Sequence, residues 1–214
     1  MTERIEDLRK EYTKAELDLT GVRQDPIEQF GIWFDEAGRA AVVEPNAMVL
    51  CTVSGQGKPS SRVVLLKGFN DTGFSFYTNY ESRKGRDIEE NPFAALTFWW
   101  ISLERQVRIE GRLERVSAAE SDRYFSTRPR GSQLGAWASA QSSILSSRGD
   151  LEQRLVEVDR RFSGRPVERP PHWGGYVLDP DCMEFWQGRA SRLHDRICYT
   201  RKEGGSWKIE RLSP

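Results

Sequence analysis

The run Arg192-Leu193-His194-Asp195-Arg196 puts three potential cations within five positions. Side chains alternate between the two faces of a strand, so Arg192, His194 and Arg196 are expected on one side. Like charges set next to each other repel unless an anion or carboxylates lie among them. Just upstream, Trp186-Gln187-Gly188 offers a flat aromatic and an amide, and His194 is one of only two histidines in the chain. This segment is therefore read as the seat of chemistry on a phosphorylated ligand. A solvated basic edge strand, which deters aggregation, is the competing explanation.

Three further runs spend polar residues in a similar way. In Ser82-Arg83-Lys84 the serine suits a helix N-cap, yet two cations follow it at the positive end of the helix dipole. A bound anion would reverse that unfavourable sign and meet the free N–H groups; two solvated side chains are the alternative. Arg62-Val63-Val64-Leu65-Leu66-Lys67 is an apolar strand with a base at each end. Positions five apart face opposite ways, so Arg62 and Lys67 should serve different groups unless a bulge intervenes, or else both simply reach for water. In the stretch from Tyr124 to Ser132, Tyr124 and Arg128 are neighbours on a last helical turn, Pro129 ends it, and Ser132 is placed to cap the next helix. A phenol, a guanidinium and a hydroxyl beside a helix N-terminus make a phosphate cradle, although a plain helix-turn-helix corner explains the same Pro, Gly and Ser.

The elements that must position these residues begin with helix. The first 45 residues read as helical, with a sparse stripe of Ile5, Leu8, Tyr12 and Leu17, and then a stronger helix opened by Asp25-Pro26 with Ile27, Phe30, Trp33, Phe34 and Ala37 on its apolar face. From Ala47 the period changes to two. Residues 47–54, 60–69 and 74–79 are expected as a three-stranded meander, 82–91 as a short helix, and 93–101 and 105–116 as strands. Residues 117–163 return to helix, interrupted at 128–131, and after a Pro-rich connector the chain ends in strands, among them Arg192 to Lys202. The expected fold class is α+β, mainly β: a small barrel with peripheral helices. An N-terminal helical or lid segment, 1–24, precedes one domain, 25–214.

Bulk properties exclude several classes. Lys plus Arg equals Asp plus Glu at 32 each, so the net charge is zero and no general nucleic-acid or anionic-membrane binder is expected. The N-terminus is charged, and no apolar run approaches the roughly 20 residues of a membrane helix, so a soluble, cytoplasmic protein is expected. Cys51, Cys182 and Cys198 are scattered and odd in number, which suits inert buried thiols in a reducing compartment. Two distant histidines and no cysteine pair leave no zinc site. Gly55-Gln56-Gly57-Lys58 lacks the rest of a phosphate loop, and Pro59 marks a hairpin turn instead.

Taken together, RVVLLK, FYTNYESRKGRDIEENP, LERQVRIEG, YFSTRPRGSQLGAWAS, EFWQG and RLHDR resemble the pyridoxine/pyridoxamine 5′-phosphate oxidase family, in order and in register from about Leu8 to Pro214. The resemblance implies an FMN-binding split β-barrel working as a homodimer, with the flavin between subunits. It assigns FMN contacts to Arg62, Val63, Val64, Leu65, Leu66 and Lys67, to Tyr77 and Thr78, to Arg83 and Lys84, and to Gln106, Gln141, Ser142, Trp186 and Arg196. Substrate phosphate contacts fall on Lys67, Tyr124, Arg128 and Ser132. Arg192 and His194 match the catalytic pair against the substrate ring, and Arg9 and Tyr12 an N-terminal segment that closes over it. The implied reaction oxidises C4′ of pyridoxine 5′-phosphate or pyridoxamine 5′-phosphate to pyridoxal 5′-phosphate, with hydride passing to flavin N5 and O2 reoxidising the flavin to give H2O2. A phenazine-biosynthesis flavin oxidase is similar in its flavin half but would not be expected to keep the phosphate cradle. A non-catalytic flavin or pyridoxal-phosphate carrier would not need Arg192 and His194.

Overall fold

Asp25 and Pro26 open the first α-helix as their types require. In the computed structural model, which describes residues 4–8 and 10–214, the Asp25 carboxylate accepts the N–H groups of Ile27 and Glu28 at 2.6 and 3.2 Å. Helix α1 (Pro26–Arg39) buries Phe30, Trp33 and Ala37. Phe30 packs on Phe98 at 5.0 Å and Trp33 on Phe185 at 5.2 Å between ring centres.

The strands are β1 (Ala47–Val53), β2 (Pro59–Leu65), β3 (Gly68–Asn70), β4 (Gly73–Asn79), β5 (Phe93–Trp100), β6 (Arg105–Arg115), β7 (Trp173–Gln187), β8 (Asp195–Arg201) and β9 (Trp207–Leu212). They hydrogen-bond in the order β2-β1-β5-β6-β7-β4-β3, with β8 on β7 and β9 on β8. The two ends of that path, β2 and β3, are joined by Leu66 and Lys67 alone. The three steps from Leu65 to Gly68 span at most about 11 Å, so the path must curl back on itself, as a barrel does. Helices α2 (Arg83–Glu90), α3 (Ala118–Ser126), α4 (Arg130–Ala138) and α5 (Arg148–Arg161) fill the connections. The chain divides into two compact units: Met1–Val49, Ala95–Gly111 and Pro180–Pro214 form the first, Leu50–Ala94 and Arg112–Asp179 the second. In the second, Phe125, Leu134, Phe162, Val167 and Trp173 make a core beneath α3 and α4.

Several expectations fail, three of them at the level of whole elements and for a visible reason. Residues 60–69 are not one strand of a meander: β2 pairs with β1, β3 with β4, and the chain changes partner at Leu66-Lys67. The expected first helix is absent. Among the described residues of 4–24 there are only two short 3-10 turns, Ile5–Asp7 and Leu19–Gly21, because tertiary partners take backbone donors that a helix would use. The N–H groups of Thr13 and Lys14 donate to the Glu104 carboxylate, and that of Leu17 to Asp195. Finally, β8 begins only at Asp195. Residues 190–192 form a tight turn with Ser191 and Arg192 at φ 54° and 61°, so strand alternation never reaches Arg192 or His194.

The cysteines are half-buried rather than buried, and two of them meet, with the Cys182 and Cys198 sulfurs 3.6 Å apart. Burial and the neighbouring thiol push Cys182 up to about 12, so it stays a thiol. Among the described residues no helix is long and apolar enough to cross a membrane, and no cluster of three or more His, Cys, Asp or Glu could hold a metal ion.

Candidate active site

In the second unit, a cavity of about 1000 Å³ is lined by Arg62, Val63, Val64, Leu65 and Lys67 on one side and by Tyr124, Arg128 and Ser132 on another. Tyr77, Thr78, Lys84, Gln141 and Trp173 also line it. Most of the residues assigned to flavin or phosphate are therefore brought together. The break after Leu65 explains how Arg62 and Lys67 reach the same cavity despite their odd spacing.

Arg62 is held by the protein's own groups. Its guanidinium donates to Thr52 Oγ1 at 2.7 Å, Ser60 Oγ at 2.8 Å and the Leu50 carbonyl at 3.3 Å, with Asp87 at 3.8 Å. Thr52 in turn donates to Asp87 at 2.7 Å, so that carboxylate is anchored as well. Burial pulls the Arg62 pKa down, and Asp87 works against that. Ser82 caps α2 as expected, its Oγ accepting from Gly85 N–H at 3.3 Å. That cap directs Lys84 toward the cavity, where its ammonium donates to Gln141 Oε1 at 3.1 Å and Thr78 Oγ1 at 3.3 Å. Burial and the Arg62 charge lower the Lys84 pKa, so the pair repel each other and an anion there would relieve both. Arg83 is exposed and does not line the cavity, although its charge is felt at Arg62.

The second wall is aromatic. Tyr77, Tyr124 and Trp173 stack nearly parallel, with centroids 3.9 Å apart for the tyrosine pair and 5.6 Å for Tyr77 and Trp173. Burial, then Glu120, pushes Tyr77 up to about 12, keeping it a neutral phenol. The Arg128 guanidinium lies 4.5 Å from the Trp173 ring centre, a cation–π contact. Its Nη1 is buried without a hydrogen-bond partner, and burial lowers its pKa. A buried guanidinium nitrogen left unpaired is costly, and a phosphate oxygen is the partner its geometry suits. Ser132 is not the cap of α4. The helix starts at Arg130 behind Pro129, which leaves its N-terminus without a side-chain cap and Ser132 on the cavity wall. These residues fit phosphorylated ligands.

In the first unit, a smaller cavity of about 300 Å³ is lined by Leu8, Lys10, Glu11, Tyr12, Arg189, Arg192 and His194. The His194 ring tilts against Trp186 at 4.5 Å and against Tyr12 at 5.8 Å. Its Nδ1 accepts the Arg189 N–H at 3.1 Å, so the neutral ring carries its proton on Nε2, free to donate. Burial first, then Arg192, lowers the His194 pKa. Arg196 does not join this cavity. On β8 opposite Trp186, it forms a two-pronged ion pair with Glu184 at 2.8 and 3.1 Å. The face expected to carry three cations is thus divided, with Arg192 and His194 on a turn and Arg196 in a strand.

Gln106 is half-buried on β6, Leu66 is buried, Ser142 is exposed with φ 70°, and none of the three lines either cavity. Arg9 lies outside the described residues. Sequence reasoning missed Trp173. Its signal was the glycine pair beside it: a Cβ at Gly174 would stand 2.0 Å from the Tyr80 hydroxyl, and one at Gly175 2.7 Å from the Tyr77 ring. Such glycines mark aromatic rings pressed onto backbone.

The strand order and the basic, aromatic-walled cavity define a split-barrel protein. The family signature described as "Pyridoxamine 5'-phosphate oxidase" matches residues 34–161, and "Pyridoxine 5'-phosphate oxidase C-terminal dimerisation region" matches residues 173–214. The chain is 61% identical over 207 residues to a pyridoxine/pyridoxamine 5′-phosphate oxidase of Rubrobacter xylanophilus, covering 97% of this chain and 95% of that one. It is 56% identical to one from a Cyanothece species, over the full length of both. Among solved structures, PhzG from Burkholderia lata, in complex with tetrahydrophenazine-1-carboxylic acid, superposes with TM-score 0.86 at 33% identity, covering 91% of this chain and 95% of that one. The chain belongs to the pyridoxine/pyridoxamine 5′-phosphate oxidase family.

Proposed function

We propose that this protein is an FMN-dependent oxidase that converts pyridoxine 5′-phosphate and pyridoxamine 5′-phosphate to pyridoxal 5′-phosphate, as a homodimer with its active site at the subunit interface. The observation that carries this reading is the buried, unpartnered Nη1 of Arg128, in a cavity also lined by Lys67, Tyr124 and Ser132. Those four residues hold the substrate phosphate. Arg62 and Lys84, which repel each other without an anion, hold the phosphate of FMN, helped by Thr78 and Gln141. When bound, the flavin supplies the hydride acceptor at N5, and O2 takes the electrons on to H2O2.

The protein's own part is placement and charge. Arg192 and His194 orient C4′ and stabilise charge on the oxygen or nitrogen that gives up its proton, with the Nε2–H of His194 as donor. Tyr12 covers the ring, its own ring edge-on to Trp186.

PhzG, a structural relative at 33% identity, was solved in complex with tetrahydrophenazine-1-carboxylic acid, which makes a phenazine-type oxidase the second reading. The test is to purify the protein, record its flavin absorbance, and follow oxygen uptake with pyridoxine 5′-phosphate and with pyridoxine. Turnover that depends on the phosphate is expected. A colourless protein that takes up no FMN would sink the enzyme, and flavin without phosphate-dependent turnover would favour the second reading.

A further inference from the structure

Glu104 lies just ahead of β6 and is only 8% exposed, although it is a carboxylate. Buried carboxylates persist only where hydrogen bonds replace water. Here a single oxygen, Oε2, accepts two successive backbone donors from the N-terminal segment, Thr13 at 2.9 Å and Lys14 at 3.0 Å. The carbonyl of the same residue accepts Gly188 N–H at 2.8 Å and Gln187 Nε2 at 3.2 Å. Glu104 thus holds the segment with its side chain and the strand end at Gly188 with its backbone. Between them sits Tyr12, so close that a Cβ on Gly188 would stand 2.8 Å from Tyr12 Cβ and 3.1 Å from Glu104 Cβ. Tyr12 in turn lies 5.8 Å from both the Trp186 and the His194 rings.

We propose that Glu104 is a positioning residue that latches the segment carrying Tyr12 against the His194 pocket and thereby sets how tightly substrate is held. The inference rests on the functional reading above, in which Tyr12 covers the substrate ring. The segment has no helix to satisfy its own N–H groups, so the carboxylate is what replaces water for Thr13 and Lys14. Glu104 acts through Tyr12 and touches no reacting atom.

Two variants test this in the flavin-loaded enzyme. Glu104→Gly removes the carboxylate but keeps the turn, because the residue sits at φ 55°, where glycine is at ease. Glu104→Gln keeps an acceptor oxygen. For Glu104→Gly, KM for pyridoxine 5′-phosphate is expected to rise about tenfold while kcat stays within about twofold, and Glu104→Gln should recover most of that loss. Trypsin should cut after Lys14 faster in Glu104→Gly than in wild type. In a Tyr12→Ala background, Glu104→Gly should raise KM no further.

The latch is overturned if an active wild type and Glu104→Gly share the same KM and the same cleavage rate. It is equally overturned if glycine and glutamine variants lose kcat and flavin alike, since that marks a purely structural residue. A wild type without turnover defeats the functional reading instead, and the cleavage rates still judge the latch.

Discussion

Arg128 carries a strong single-residue expectation. Its buried Nη1 has no partner, and Trp173 holds its guanidinium in place from one face. Losing a charge-assisted contact of this kind costs about 2–3 kcal/mol, so Arg128→Ala should lower kcat/KM for the phosphorylated substrate roughly 30- to 150-fold, mainly through KM. Oxygen-uptake kinetics would reveal an unchanged KM if the assignment were wrong. His194 makes a pH prediction. Its pKa is lowered from the ordinary 6.5, so the neutral ring persists above that value and the proton returns only below it. The expected kcat/KM profile is flat on the neutral side and falls on the acid side as Nδ1 becomes protonated and can no longer accept the Arg189 N–H. His194→Gln should lose that acid limb, and a limb that survived the change would belong to another group.

Among the elements, α2 is the piece whose start most directly sets one of the proposed ligand contacts, that of Lys84. Ser82 is fully buried, caps the helix through Gly85 and donates to the Asn79 carbonyl at 2.7 Å. Ser82→Ala should therefore cost about 1 kcal/mol of stability and weaken FMN binding through Lys84, readable by urea unfolding and by flavin titration. Unchanged affinity would show that the cap does not position Lys84. This helix was legible in the sequence, as were α1 and β6, because their signals are local: Asp25-Pro26, Ser82, and the alternation of Val107, Ile109 and Leu113. What was not legible depends on distant partners. Nothing within residues 60–69 says that β2 and β3 bond to different strands, and nothing in RLHDR reveals the left-handed turn at Ser191-Arg192. The N-terminal segment misleads for the same reason, since its N–H groups are taken by Glu104 and Asp195, some 90 and 178 positions away. Residue types at the cavity were easier to read than geometry, because cations placed beside aromatics have few structural uses.

At the scale of the whole molecule, residues 173–214 match a dimerisation region, and the proposed homodimer predicts a concentration dependence. The unfolding midpoint should rise with protein concentration and rise again on adding FMN, as mass action requires for anything that binds only the folded state. Scanning calorimetry over a hundredfold dilution series would detect it, and a midpoint indifferent to concentration would speak against an obligate dimer. The pairing of β4 with β7 has a consequence of another kind. Phe74 to Asn79 meet their partners only at Trp173 to Leu178, about a hundred residues later in the chain. On the ribosome, β4 therefore emerges with one edge unpaired, and it stays so for several seconds of synthesis at roughly 5–20 residues per second. Its exposed run of Phe74, Phe76 and Tyr77 is a sticky edge during that interval. Nascent chains stalled before Trp173 should aggregate or recruit holding chaperones, whereas chains released beyond Gln187 should not.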